Sequence, residues 1–480
     1  MKLKKEKDAS PKTRPQKEKK EKNDKIIKPG FRRVENINLS DQNFRIRLVV
    51  VVFLIVVAVS AFMYGIYSWL SVDAGWYEIE AGSSAETLEA QELYLYYNIG
   101  AGETGAYTEY RTLITTYTGL VDEAYKLFSD ESFDDCNNLN YLNNHINETV
   151  TVDTALYEAL SLLDEYESRY IYFAPIYATY ESLYSCSYDE ETVNFDPAEN
   201  DVIAEYFEEI VAFANDPDSV RIELLEDNQV MLVVSEEYQA YAEGNAITEY
   251  VDFFLLANAF EVDYIAEKLI ADGYTAGTLS SYDGYTRTLG ASGDDTISET
   301  VGVRAIAAPA DDNSSASETD TDENTDATEN TDGTDIAAAL EWSLSLSDRV
   351  DQTIYEAGNM TYSGALSVVT FRDYPVYTMD ELHYYSLSDG EIRTPYIDLT
   401  DGYCKASIHN LVVFSDTAGC AELMIRTLPL YAANAFDREA VEALATDGID
   451  SVIIEDEVIS CTTDEVVFTE VHEGYDVAGK

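Results

Sequence analysis

Few side chains in this 480-residue sequence stand at spacings that reactions use. The four histidines (His145, His383, His409, His472) are scattered and form no metal-ligand pattern, and the five cysteines include no Cys-x-x-Cys. The cysteines read as buried free thiols with no pairing to be deduced. GAGETG (100–105) has the Gly-x-Gly-x-x-Gly pattern that lets backbone approach a pyrophosphate at a helix N-terminus. No strand ending in an acid follows about 20 residues on, as a dinucleotide site requires, so the stretch reads as a small-residue turn. The acidic run at 308–335 is not an EF-hand loop, because the residue five before Gly333 is Thr328 and the position needing Glu is Ala339.

One segment is harder to dismiss: VDFFLLANAFEVDYIAEKLIADGY, residues 251–274. Val262, Ile265, Ala266, Leu269 and Ile270 make one apolar helix face, stopped by Asp272-Gly273. Ahead of it Asp252 is followed by Phe253, Phe254, Leu255 and Leu256, which look like core residues set beside an acid.

The elements around this segment mix strands and helices without regular βαβ alternation, which predicts an α+β fold. A strand is expected at 92–100, helices at about 106–129, from Asp153 onward and at 199–214, and a hairpin turning at Asp227-Asn228. Strands follow at 275–282, in LEWSLSLS, ALSVVTF, SIHNLVVFS and SVIIED, with a helix over about 417–428. Residues 308–335 contain no large apolar residue, and their composition predicts a disordered insertion.

Charge divides the chain more sharply. Residues 1–47 hold 16 of the 30 Lys+Arg and 7 of the 91 Asp+Glu, leaving 14 bases against 84 acids in the rest. Between them residues 48–70 carry no charge, long enough at 1.5 Å per residue to cross a ~30 Å hydrocarbon core. The expectation is a single-pass protein of the cell membrane. It has a basic, disordered cytoplasmic tail (1–47), an anchor (48–70), a juxtamembrane segment (71–87) and an extracellular domain (88–475). The acidic outer part excludes nucleic acid as a partner.

Residues 227–290 resemble the core of the FAD:protein FMN transferases, the ApbE family. Members carry D-x-G-G-I-A-K-G-Y-x-x-D, a helix ending in Gly, a strand, Gly-Gly and often R-T-L-G. Here Asp252, Ala257, Asp263, Gly273, Gly284 and RTLG (287–290) match in register. NNLNYLN (137–143), DGEIRTPYIDLTDGYCKAS (389–407) and LVVFSDTAGCAELMIRTL (411–428) resemble further family segments in the same order. The resemblance implies an ApbE-like, T-fold-like domain and a reaction that moves FMN from FAD to Thr or Ser of a target protein, with Mg²⁺ on the pyrophosphate. It places flavin contacts at Asp252, Asn258, Asp283 and Gly284, metal ligands at Glu422 and Thr427, and the reacting centre near Asp398.

The departures fall on the same positions. Phe254 and Leu255 stand in the glycine slots, Ala259 in a third, and Asn258 in the lysine slot. Asp283 replaces a glycine, Pro395 a histidine, and Arg426 the metal helix's threonine, so that Arg426 is expected to pair with Glu422. Losing one preorganised contact costs ~2.7–4 kcal/mol of barrier, and losing a positioned base ~10²–10⁴-fold in rate. The expected function is therefore an ApbE-like membrane protein with lost or reduced flavin transfer and a binding or envelope-assembly role. The alternatives are an active Mg²⁺-dependent transferase acting on a secreted or membrane flavoprotein, and an unrelated acidic surface interaction domain.

Overall fold

Alternation builds the central sheet. In Leu93–Ile99, Leu93, Leu95, Tyr97 and Ile99 are buried between half-buried Tyr94, Tyr96 and Asn98, the period-two signature of a strand. The computed structural model describes residues 41–70, 72–82, 92–100, 105–184, 195–290, 300–303, 341–350, 353–375, 384–386 and 392–478. The insertion at 308–335, most of the basic tail and residues 101–104 of the glycine pattern lie outside them.

The chain divides into two units, Met1–Leu70 and Ser71–Lys480. In the first, α1 runs Asp41–Leu70, and its large apolar side chains from Leu48 to Met63 are exposed. Among the described residues no helix is long and apolar enough to cross a membrane. The part of α1 with described side chains, 48–63, is shorter than the ~18 apolar residues such a helix needs.

The second unit begins with β1 (Gly75–Ile79), β2 (Leu93–Ile99), α2 (Ala106–Phe128), α3 (Leu139–Asn144), β3 (Thr149–Thr151) and α4 (Thr154–Glu165). A 3₁₀ turn at Tyr170–Phe173 leads into α5 (Ala174–Tyr184), α6 (Asp201–Asn215), β4 (Val220–Leu224), β5 (Gln229–Val234), α7 (Glu236–Asn245) and α8 (Leu256–Ala271). Then come β6 (Gly277–Ser281), β7 (Tyr285–Thr288), β8 (Thr300–Val303), β9 (Glu341–Val350), β10 (Thr353–Ser363), β11 (Ser367–Arg372), β12 (Tyr385–Ser386) and β13 (Ile392–Arg393). The unit closes with β14 (Asn410–Ser415), α9 (Cys420–Tyr431), α10 (Arg438–Ala443), β15 (Asp450–Glu455), β16 (Val458–Cys461), β17 (Val467–Thr469) and β18 (Asp476–Val477).

Nine strands pair in the order β1-β2-β6-β7-β11-β14-β15-β16-β18, antiparallel except for β16 with β18. Alternate residues serve two cores. Val369, Phe371, Leu411, Val413 and Ile453 join the helices α2, α8 and α9 in one. Val368, Val412, Phe414, Val452 and Ile454 meet Trp342, Leu344, Leu346 and Met360 of a second sheet, β17-β10-β9-β8, in the other. The layers are thus helices, nine-stranded sheet and four-stranded sheet, an α+β arrangement as the mixed pattern predicts. Residues 75–79, read from sequence as juxtamembrane, form the edge strand β1. The Asp227-Asn228 hairpin is present, with both residues at left-handed φ (59° and 55°) and Leu224 paired with Val230 across it.

The joint between α8, α9 and β7 is one carboxylate. Asp263 Oδ1 accepts from the Cys420 N–H and Oδ2 from the Ala421 N–H, both at 2.9 Å, so the acid caps the N-terminus of α9. Arg287 Nη1 of β7 donates to Oδ1 at 2.9 Å. Burial pushes the Asp263 carboxyl up, while the guanidinium and the two amides pull against it. Gly419 lets the helix end come this close, since a Cβ there would lie 2.5 Å from Oδ2. Asp263→Ala should lose about 2–4 kcal/mol of unfolding free energy in urea, because it leaves two helix-start amides without their acceptor and the Arg287 guanidinium with only the exposed Glu267 at 3.2 Å.

Candidate functional site

Asn143 of α3 sets the approach to the odd segment. Its Oδ1 accepts from the Tyr250 and Val251 amides at 2.9 and 3.1 Å, and its Nδ2 donates to Val251 O at 2.8 Å. The next residue, Asp252, donates its N–H to Ile171 O at 2.9 Å and accepts the Phe254 N–H on Oδ1 at 3.1 Å, closing an Asx turn. Phe254 sits at φ +50°. Bulky residues are rare there and glycine is comfortable. The turn that the glycine slot implies is therefore present, held by phenylalanine.

Packing explains how. The Phe254 ring stacks on Tyr177 with centroids 4.5 Å apart and planes at 8°. Tyr177 is anchored through its hydroxyl, which donates to Tyr170 O at 2.6 Å. Phe253 packs on Phe128 and Phe260 at 5.9 and 5.2 Å. Leu255 and Leu256 are buried, and α8 starts at Leu256, one and a half turns earlier than the apolar face beginning at Val262 indicates. Asp252 is half-buried beside this packing, and burial pushes its carboxyl up to about 7, with the Phe254 amide opposing and the charges of Asp130, Glu181 and Glu249 adding to it.

Asn258, one helical turn on, does not take the place of a lysine charge. Its Nδ2 donates to Glu92 Oε2 at 2.9 Å and to Asp283 Oδ2, bridging two carboxylates. Asp283-Gly284 forms the turn between β6 and β7. Gly284 has φ +102°, and a Cβ there would lie 2.6 Å from Thr370 O, so strand β11 passes too close for any other residue. Between these stretches, Leu255, Asp283, Tyr285, Arg372, Tyr384 and Tyr396 surround a cavity of ≈ 10 Å³. That is roughly the room one water needs.

Asp398 and Glu422 stand in separate polar networks. Asp398 Oδ2 accepts from Lys405 Nζ at 2.5 Å, and its Oδ1 from the Thr400 amide and hydroxyl at 2.9 and 2.7 Å. Burial alone would push this carboxyl up, but Lys405 and Thr400 outweigh it and hold it below the usual range. Glu422 Oε1 accepts from the Tyr166 hydroxyl at 2.6 Å, and Arg426 Nη1 lies 3.4 Å away, so the expected pair forms with tyrosine as the closer partner. Arg426 also binds Asp447 and lies over the Tyr166 ring at 5.3 Å. Thr427 points into the core, fully buried, its hydroxyl without a hydrogen-bond partner among the described residues.

The structure thus brings Asn258, Asp283 and Gly284 together and gives Asp252, Asp398, Glu422 and Thr427 different neighbours. Among the described residues no three His, Cys, Asp or Glu side chains converge as metal ligands. Among the described residues, the cavity that these stretches enclose has room for about one water, and the carboxylates beside it are bonded within the chain. Sequence reasoning missed Glu92, Tyr166, Tyr177 and Lys405. Tyr177, in the run YIYFAPIYATY, was visible only as one of many tyrosines.

Asp252 gives a pH test. Its folded carboxyl titrates near 7 and its unfolded one near 3.8, so between those values the native state binds more protons and stability falls as pH rises. Asp252→Asn keeps the acceptor for Phe254 and removes the charge. It should raise thermal stability at pH 8 by on the order of a few kcal/mol and leave it nearly unchanged at pH 4.

No family model matches the sequence, and no curated protein matches it. Solved structures do match. The ApbE protein of Thermotoga maritima aligns over 82% of this chain and 97% of its own at 12% identity, with a TM-score of 0.50. A variant of the flavin transferase ApbE of Vibrio cholerae aligns over 83% and 98% at 14% identity and TM-score 0.46. The flavinyl transferase ApbE of Pseudomonas stutzeri, in its apo form, aligns over 83% and 95% at 12% and 0.45. By the first of these, the fold of this chain is ApbE-like.

Proposed function

We propose that the chain is a membrane-anchored, extracytoplasmic and divergent member of the FAD:protein FMN transferase family in which flavin transfer has been lost or reduced. Its domain then serves by binding an envelope partner. The observation that carries this reading is the closed site, ≈ 10 Å³ between Leu255, Asp283 and Tyr396, where small-molecule sites measure about 300–1,000 Å³. The Phe254–Tyr177 stack supports it, as do the in-chain partners of Asn258, Asp398 and Glu422. The uncharged run at 48–70 behind a tail of 16 bases supports the anchor and its orientation.

The test is a fluorescence titration of the full chain in detergent with FAD, with and without millimolar Mg²⁺. The expected result is no saturable change in either condition. Saturable, Mg²⁺-dependent binding, followed by transfer of FMN to Thr or Ser of a secreted or membrane flavoprotein, would overturn the reading in favour of an active enzyme.

A further inference from the structure

Strand β4 is an edge strand whose outer side is only partly closed. Its small sheet runs β3-β5-β4, so among the described residues no strand lies beyond it. Along an antiparallel strand, successive residues turn both backbone groups alternately to one neighbour and to the other. The Ile222 N–H donates to the Tyr172 hydroxyl at 2.9 Å. Val220, Ile222 and Leu224 therefore face outward, while Arg221 and Glu223 bond β5. Arg169 Nη2 donates to Val220 O at 2.7 Å and closes the start of the edge. Further on, Ile222 O and both backbone groups of Leu224 have no partner among the described residues.

Beside this gap lies an open cavity of ≈ 510 Å³, within the about 300–1,000 Å³ of ligand sites. Its apolar lining is buried Leu160, Leu163 and Ile171 with half-buried Ile222 and Leu224. Two donors in the lining are unused. Tyr172, 7% exposed, accepts from Ile222, but its own O–H meets no acceptor among the described residues. Burial raises its pKa, so the proton stays on. Arg169 commits Nε and Nη2 to Ala214 O and Val220 O and leaves Nη1 without an acceptor. Its guanidinium lies 4.0 Å over the Tyr172 ring, which keeps the two donors together.

Arg169 also lacks a counter-charge. Past residue 47 the chain has 84 acids against 14 bases, yet among the described residues no carboxylate comes within ion-pair distance of this half-buried guanidinium. Burial pulls its pKa down accordingly. A charge held this way is stabilised by an anion that hydrogen-bonds it.

We propose that this is a docking site for the free C-terminus of a partner polypeptide, added as a fourth strand at the edge of β4. The docked chain pairs with Ile222 O and the Leu224 N–H, and its terminal carboxylate accepts from Arg169 Nη1 and the Tyr172 hydroxyl. The direction follows from what blocks the edge. Arg169 and Tyr172 occupy it from Val220 to the Ile222 N–H, so the docked strand must end there, running antiparallel to β4. An internal segment would run into both side chains and bring no charge to Arg169. The last side chain of the docked strand enters the apolar lining. The exposed Asp164 and Glu167 at the rim favour a basic residue upstream. The site shares no lining residue with the cavity at Tyr396 and stands whether or not flavin transfer is retained.

The test presents a random peptide library of the form KKXXXX to the full chain in phosphatidylcholine nanodiscs, once with free C-termini and once amidated. Retained peptides are read by mass spectrometry against empty discs. Free acids with an apolar last residue should be retained, and their amides should bind about ten- to hundredfold more weakly. Leu224→Pro removes an outward N–H and leaves the β5 ladder intact. It should weaken binding of a retained peptide by up to about tenfold with an unchanged near-UV circular dichroism spectrum. Arg169→Gln should erase the difference between acid and amide. Retention of neither library, equal retention of acids and amides, or undiminished binding by folded Leu224→Pro would each overturn the proposal.

Discussion

The Asp263 carboxylate is the constraint on which the helical side of this domain depends. It is the only contact that engages α8, α9 and β7 through one side chain among those described above, and it does so by satisfying two amides that a helix start leaves without acceptors. A buried or half-buried charge is costly unless paired, so Arg287 is part of the same device rather than an addition to it. Fixing α8 in this way fixes where Asn258 and the Asp252 turn lie. Fixing α9 sets where Glu422 and Thr427 point.

The residues that match the ApbE pattern share a property once their surroundings are known. Asp263 and Arg287 form the joint just described. Gly284 makes room for strand β11, and Asn143 holds the backbone at 250–251. Asn138 donates to Lys126 O, Ser129 O and Glu131 O and so closes the end of α2. Apart from the Arg287 ion pair, each of these contacts holds backbone in place. The positions that depart from the pattern, Phe254, Leu255, Asn258, Asp283, Pro395 and Arg426, are those where the resemblance implies a ligand. A fold can keep its frame under such exchange because the frame's contacts are internal, whereas a site's contacts are satisfied only when something is bound.

How far the sequence showed this depends on distance along the chain. Period-two and period-3.6 patterns located most strands and helices, because each is set by residues a few positions apart. Strand β10 was not visible: Gly358 marks a bulge in its pairing with β9, and GNMTYS has no clear alternation. Helix α7 (EEYQAYAEGN) buries only Tyr238 and Ala242, too few to give an apolar face. The Glu422–Arg426 pair was legible because i,i+4 residues meet on any helix. Tyr166, which binds Glu422 more closely, lies 256 residues away, and no local pattern joins them. Phe254 was legible as core packing, but its left-handed backbone was not, since that conformation is chosen by the Asx turn and the Tyr177 stack against the residue's own preference.

These in-chain contacts bear on what the proposed loss of flavin transfer means energetically. A ligand entering at the Asp252 turn would have to displace the Phe254 ring from Tyr177, an aromatic contact worth about 0.5–1.5 kcal/mol beyond its area. A cation at Glu422 would have to compete with a hydroxyl at 2.6 Å and with a guanidinium that Asp447 also holds. At Asp398 it would meet Lys405, whose hydrogen bond to the carboxylate belongs to a class worth about 1.5–3 kcal/mol. Each term is modest, and none alone would prevent binding. They lie in separate networks with no shared partner, however, so they add rather than cancel. A single back-substitution would remove one term and leave the others, which is why the reading rests on the closed cavity and the whole set of replaced positions.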